Sequence, residues 1–130
     1  MKLSEGVQWL AREIAGFAEL EAFEACCRDA AGSAGREAAA LLLIARAAAA
    51  FAERQDGVAV QAATMHAFLT RLHAEAQQLN EASEGSDAAL FEALNRFAAN
   101  LSRADFVSIV YKNRHPPFPA GVSCRPDSPP

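Results

Sequence analysis

The clearest apolar repeat in the chain lies between residues 58 and 82. Val58, Met65, Leu72 and Leu79 recur every seven residues, Ala62, Leu69 and Ala76 fill the same side, and Phe68 widens it. Thr64, Arg71, Glu75 and Gln78 fall opposite. A seam of three heptads suits near-antiparallel helix packing, so a helix is predicted over about Val58–Ala82.

The first segment is patterned differently. A helix is predicted from about Glu5 to Ala31, with Ser4 as N-cap, Glu5 in the first turn, and Gly32-Ser33 ending it. Its apolar residues do not make one stripe. Val7, Leu10, Ile14 and Phe17 share one face, whereas Trp9, Leu20, Phe23 and Cys27 share another. On a helical wheel the second face is rotated from the first by roughly 120°. The switch falls close to Gly16. Either the helix bends there or its two halves pack against different partners.

A second helix is predicted from after Ser33 to about Arg54. Between Ala38 and Ala45 it reads AAALLLIA, apolar all round, which marks a central helix with no exposed face. Gln55-Asp56-Gly57 is a turn signal before the seam helix. The run Ser83 to Asp87 supplies a loop and a cap for a fourth helix over Asp87–Leu101, whose apolar face is Leu90, Leu94, Phe97, Ala98 and Leu101.

Residues 103–112 then carry FVSIVY, a β-branched and aromatic run. With no partner strand a sheet is implausible, so a short fifth helix is expected. Six prolines fall in the last fifteen residues, which predicts extended, polyproline-like backbone. This tail is either a disordered end or a peptide arm anchored by Phe118 between its prolines. The expected fold is therefore all-α: a four-helix antiparallel bundle with a short fifth helix (domain 1–112) and an extended Pro-rich C-terminal tail (113–130).

Composition strengthens the helical reading, because 31 of the 130 residues are alanine, the residue of highest helix propensity. Residues 1–102 carry 8 basic and 14 acidic side chains, a balance of −6, and residues 103–130 carry 4 and 2, a balance of +2. An acidic body argues against a nucleic-acid partner. The longest apolar run, Ala38–Ala45, is stopped by Arg46 and is far short of the roughly 20 residues a membrane helix requires. An odd count of three cysteines does not make a disulfide framework, and Met1-Lys2-Leu3-Ser4 leads into amphipathic sequence without a signal-peptide pattern. These features are those expected of a soluble, cytoplasmic protein.

Candidate chemistry is sparse. Cys26 and Cys27 are adjacent, so on a helix their side chains diverge by about 100°, unlike the C-x-x-C spacing that brings two sulfurs to one centre. They read as small core residues, or else as a thiol pair for a soft metal such as Cu(I) or for a redox switch completed by Cys124. His66 and His73 stand two helical turns apart, about 10.5 Å, too far to share one metal ion. With Thr70 they form a polar edge suited to a cleft wall or an interface rim. Motifs for di-iron bundles, zinc proteases, serine hydrolases, and Walker or Rossmann phosphate loops are all absent, and no cofactor is implied. Val58–Met65 has no Lys or Arg, which removes a helix-turn-helix reading.

The sequence thus points to a non-enzymatic helical interaction module, homodimeric, with Trp9, Leu20, Phe23 and Phe118 at the interface. The alternative is a small-ligand or soft-metal-binding bundle, with His66, Thr70 and His73 lining a cleft and Cys26, Cys27, His66 and His73 as metal ligands. A third reading is an enzyme or regulator whose residues converge only in space.

Overall fold

A computed structural model describes residues 1–12, 15–55 and 62–103. Among them the chain forms five α-helices and no strand: α1 (Leu3–Leu10), α2 (Phe17–Ala31), α3 (Ala38–Arg54), α4 (Ala62–Ser83) and α5 (Asp87–Leu101). A short 3-10 turn, Gly35–Glu37, leads into α3. The expected fifth helix over 103–112, the Pro-rich tail, and the first turn of the seam helix at Val58 lie outside the described residues.

The single long helix expected over Glu5–Ala31 is two helices. The rotation of the apolar face near Gly16 marks a break: α1 ends at Leu10, and Gly16 becomes the N-cap of α2. At each start a glutamate reaches back to an unpaired backbone donor. Glu5 Oε1 accepts from the Lys2 N–H at 2.7 Å, and Glu19 Oε1 accepts from the Gly16 N–H at 2.6 Å. These bonds satisfy donors that a helix cannot pair internally, and they place a carboxylate at the positive end of each helix dipole. Ser4, the expected cap, lies inside α1, and Lys2 takes the N-cap position.

Arg12 holds the break from the other side. Its guanidinium sits 4.3 Å above the Trp9 ring centre, its Nε donates to the Trp9 carbonyl at 3.2 Å, and Glu19 lies 3.6 Å away. The described members of the two faces read from the sequence are thereby largely absorbed within the chain, and Ile14 lies outside the described residues. Val7 and Leu10 are buried from α1, and Leu20, Phe23 and Cys27 from α2.

The α2–α3 connection turns at Gly35, whose φ of +61° lies in the left-handed region that glycine reaches without a Cβ clash. Ser33 is not the cap of the following helix; the 3-10 turn takes that place. The short connection folds α3 back along α2, its principal partner, and α3 also touches α1, α4 and α5. Its contact positions are largely alanine: Ala40, Ala45, Ala47 and Ala48 are all buried, beside Leu41, Ile44 and Phe51. Small side chains let the helix backbones approach closely.

The sequence predicts that α3 has no exposed face, and here the structure differs. Ala39, Leu42, Arg46 and Glu53 form an outward stripe, and Leu42 is half exposed. Arg46 and Glu53 are the polar residues that fix which side of the helix stays in water, and Leu42 shares their side of the wheel.

The seam helix behaves as its heptads predict from its second turn onward. Met65, Phe68, Leu69, Leu72, Ala76 and Leu79 are its buried residues, and Phe68 stacks on Phe51 of α3 with ring centres 4.1 Å apart. Ala62, at the first position of α4, is exposed. The opposite side is not wholly solvent. Thr64, Arg71 and Glu75 are half-buried, and Asn100 of α5 donates to Glu75 Oε2 at 3.3 Å. Ser86 caps α5 by accepting from the Ala89 N–H at 3.1 Å.

One side chain joins three elements at the end of the molecule where α4 passes into α5. Arg36, in the 3-10 turn, donates to the carbonyls of Ser83 at 3.3 Å and Gly85 at 3.1 Å, and it also pairs with the Asp87 carboxylate. The carbonyls at the end of α4 have no helical partner of their own, and a cation suits the negative end of that helix dipole.

Candidate functional site

The cysteines separate as adjacent helical residues must. Cys27 is fully buried on the core face of α2, and Cys26 is exposed. The Met1 thioether lies 3.8 Å from Cys27 Sγ. Burial pushes the Cys27 thiol up to about 12, and the neighbouring Cys26 and Glu24 act in the same direction. A thiol held protonated is a poor nucleophile and a poor metal ligand, since both roles require the thiolate. Cys124, the expected third sulfur, lies outside the described residues.

His66 and Thr70 are exposed on α4, and His73 is half-buried. The cysteines stand on α2, whose main partner is α3. The four suggested ligands are therefore not brought together, and among the described residues no three His, Cys, Asp or Glu side chains are placed to hold a metal ion. Two open surface concavities lie away from the histidines. One is lined by Ala25, Cys26, Arg28 and Asp29 along α2, the other by Met1, Lys2, Ala30, Ser33, Ala34 and Glu37. Two of the charged groups beside them are occupied: Arg28 pairs with Glu24, as its i,i+4 spacing predicts, and Glu37 Oε1 accepts from the Leu3 N–H at 2.9 Å.

The expected interface residues are used inside the chain. Leu20 and Phe23 are enclosed by the chain's own helices, and Trp9 is half-buried and stacked on Phe23. Leu20 and Phe23 have no side-chain surface left for a partner to touch. Phe118 lies outside the described residues.

The apolar surface that stays open lies on α5. Leu90, Ala93 and Phe97 face the core. Beside them runs a second stripe with spacing i, i+3, i+7 and i+10: Phe91, Leu94, Ala98 and Leu101. Phe91 is 68 % exposed, Ala98 is exposed, and Leu94 and Leu101 are half-buried. Among the described residues, Leu42 of α3, 51 % exposed, is the other large apolar side chain open within a helix. A single exposed apolar residue is ordinary, but a stripe continuing from the core to an exposed phenylalanine is the kind of surface that contacts use. The spacing carries this signal, but a reading that gives Leu94, Ala98 and Leu101 to one core-facing stripe misses it.

No described helix is long and apolar enough to cross a membrane. Comparison with known proteins finds no matching family model, no matching curated protein and no matching solved structure.

Proposed function

We propose that this protein is a non-enzymatic helical interaction module that pairs with a second copy of itself through the α5 stripe centred on Phe91. In this reading α2–α5 form the four-helix antiparallel bundle, and α1 is a short brace across α2 and α4. The observation that carries the reading is the exposure of Phe91, 68 %, on a domain whose other phenylalanines in α2–α5 are buried or half-buried. A self-complementary stripe on one helix is closed most simply by two-fold symmetry, with α5 packed against α5. The stripe takes the place of Leu20 and Phe23 as the contact surface, since those side chains are spent on the core.

Light scattering of the full chain across the micromolar range tests this. The expected result is a mass rising with concentration from 13.8 kDa towards twice that value, and a marked weakening of the association in F91S with no loss of helicity. Identical masses for the wild-type chain and F91S at every concentration overturn the reading.

A further inference from the structure

Cys27 is fully buried, and a residue that reaches water lies directly against it. Met1 Sδ is 3.8 Å from Cys27 Sγ, and Met1 is 43 % exposed. The same residue thus touches a core thiol and solvent. Gly6 of α1, also buried, borders this sulfur: a Cβ built there would stand 3.8 Å from Met1 Sδ. An open groove of about 440 Å³ runs along Met1 and reaches Ala30. Ala30 stands three residues beyond Cys27 on α2, one helical turn along the same side. A small solute in that groove therefore meets Met1 close to the buried thiol. The chain's other methionine, Met65, is buried in the α4 seam. Of its two thioethers, Met1 is the one open to a dissolved oxidant.

We propose that Met1 is an oxidation site that gates Cys27: hydrogen peroxide converts its thioether to the sulfoxide, the side chain leaves its seat, and Cys27 opens to electrophiles in solution. The step is a two-electron oxygen transfer. The O–O bond of the peroxide breaks, an S–O bond forms at Met1 Sδ, and water leaves. The sulfur is oxidised and the peroxide is reduced. The product no longer suits its place. A sulfoxide oxygen is a strong hydrogen-bond acceptor, and the Cys27 thiol beside it is a weak donor. An acceptor left unpaired against a core is costly, so water in the groove draws the oxidised side chain outward. Burial is the main reason that the Cys27 thiol stays protonated, pushed up to about 12. Once uncovered, it ionises closer to the ordinary thiol range and becomes a nucleophile. The oxidation is reversible by methionine sulfoxide reductases, so the gate can close again. None of this depends on pairing through α5.

The test uses the full chain with C26S, C124S and M65L, which leaves Met1 Sδ and Cys27 Sγ as its only sulfur atoms. Hydrogen peroxide is applied until intact mass shows one added oxygen and peptide mapping places it on Met1. Catalase then removes the excess, and labelling of Cys27 by a maleimide is timed in native buffer. Before oxidation, labelling should be no faster than global unfolding allows. After oxidation it should be about tenfold faster or more, with helicity by circular dichroism unchanged. Treatment with methionine sulfoxide reductase should restore the slow rate. A matched chain with norleucine at position 1 keeps the length of the side chain but has no sulfur to oxidise there. It should label slowly both before and after peroxide. An unchanged labelling rate once Met1 is fully oxidised overturns the proposal. So does resistance of Met1 to peroxide that oxidises free methionine, or an equal gain of labelling in the norleucine chain. Loss of helicity on oxidation overturns it as well, since Met1 would then hold the fold and not a gate.

Discussion

The Trp9 indole lies flat on the Phe23 ring, with ring centres 4.2 Å apart and planes 11° from parallel. The pair joins α1 to α2 across the break and brings an apolar side chain of α1 onto the core face of α2. Gly6 contributes by its small size. A Cβ there would meet Met1 Sδ at 3.8 Å and the Phe23 ring at 3.9 Å.

Those distances are ordinary van der Waals contact, and φ at Gly6 is not positive. G6A should therefore stabilise the fold by about 0.5–1 kcal/mol, because alanine loses less backbone entropy in a helix interior. F23A should cost about 3–5 kcal/mol, since it empties a buried ring site and leaves Trp9 without its partner. Urea denaturation followed by circular dichroism measures both. Destabilisation in G6A would show that α1 sits closer to α2 than the structure has it.

Arg36 and Asp87 are an ion pair whose worth lies mainly in its other bonds. The Asp87 carboxylate is almost wholly in water, so the pair itself is heavily screened. The carbonyls of Ser83 and Gly85 gain most from the guanidinium. D87N is expected to cost well under 1 kcal/mol, and R36A about 1–2 kcal/mol. R36K should resemble R36A, because one ammonium on a flexible stem cannot serve three separate acceptors in the fixed fork of a guanidinium. Equal losses in D87N and R36A would put the energy in the ion pair instead.

The two thiols should behave as different chemical species. Cys26 is expected to react with a thiol reagent in the native protein, and Cys27 only on unfolding. Stability carries the same signature in its pH dependence. Below about pH 9 the Cys27 thiol is protonated in both folded and unfolded chains and gives no slope. Above it the unfolded thiol ionises while the buried one, pushed up to about 12, stays neutral, so stability falls as pH rises through this window. The slope approaches about 1.4 kcal/mol per pH unit. Denaturation of the wild-type chain and C27A at pH 8 and pH 10 isolates this contribution; parallel losses in the two proteins would show that Cys27 is not its source.

The sequence carried the local structure well and the long-range contacts poorly. The α4 seam is correct residue by residue over Met65–Leu79, because its seven-residue repeat has one solution on a helix. The rotation of the apolar face near Gly16 located the helix break, but a wheel cannot separate a bend from a reversal. Only the fold-back of α1 reveals that Trp9 and Phe23, fourteen residues apart, are one contact. Arg36 could not be read at all. Its acceptors include two backbone carbonyls, which leave no mark in the identity of Ser83 or Gly85. Leu42 and Phe91 show the opposite limit. Both are apolar residues at helical spacing, and their exposure depends on which faces of α3 and α5 the other helices cover.

The alanines of α3 place the strictest demands of this fold on its smallest side chains. Leu41, Ile44 and Phe51 can exchange for aliphatic groups of similar volume with modest loss, because neighbouring rotamers adjust. Ala40, Ala47 and Ala48 are almost fully buried, so a longer side chain there finds no open space and must push packed neighbours apart. The spacing between α3 and its neighbours is thus fixed by what is missing at those positions. Sequence change in this protein is accordingly freer at its large core residues than at its small ones.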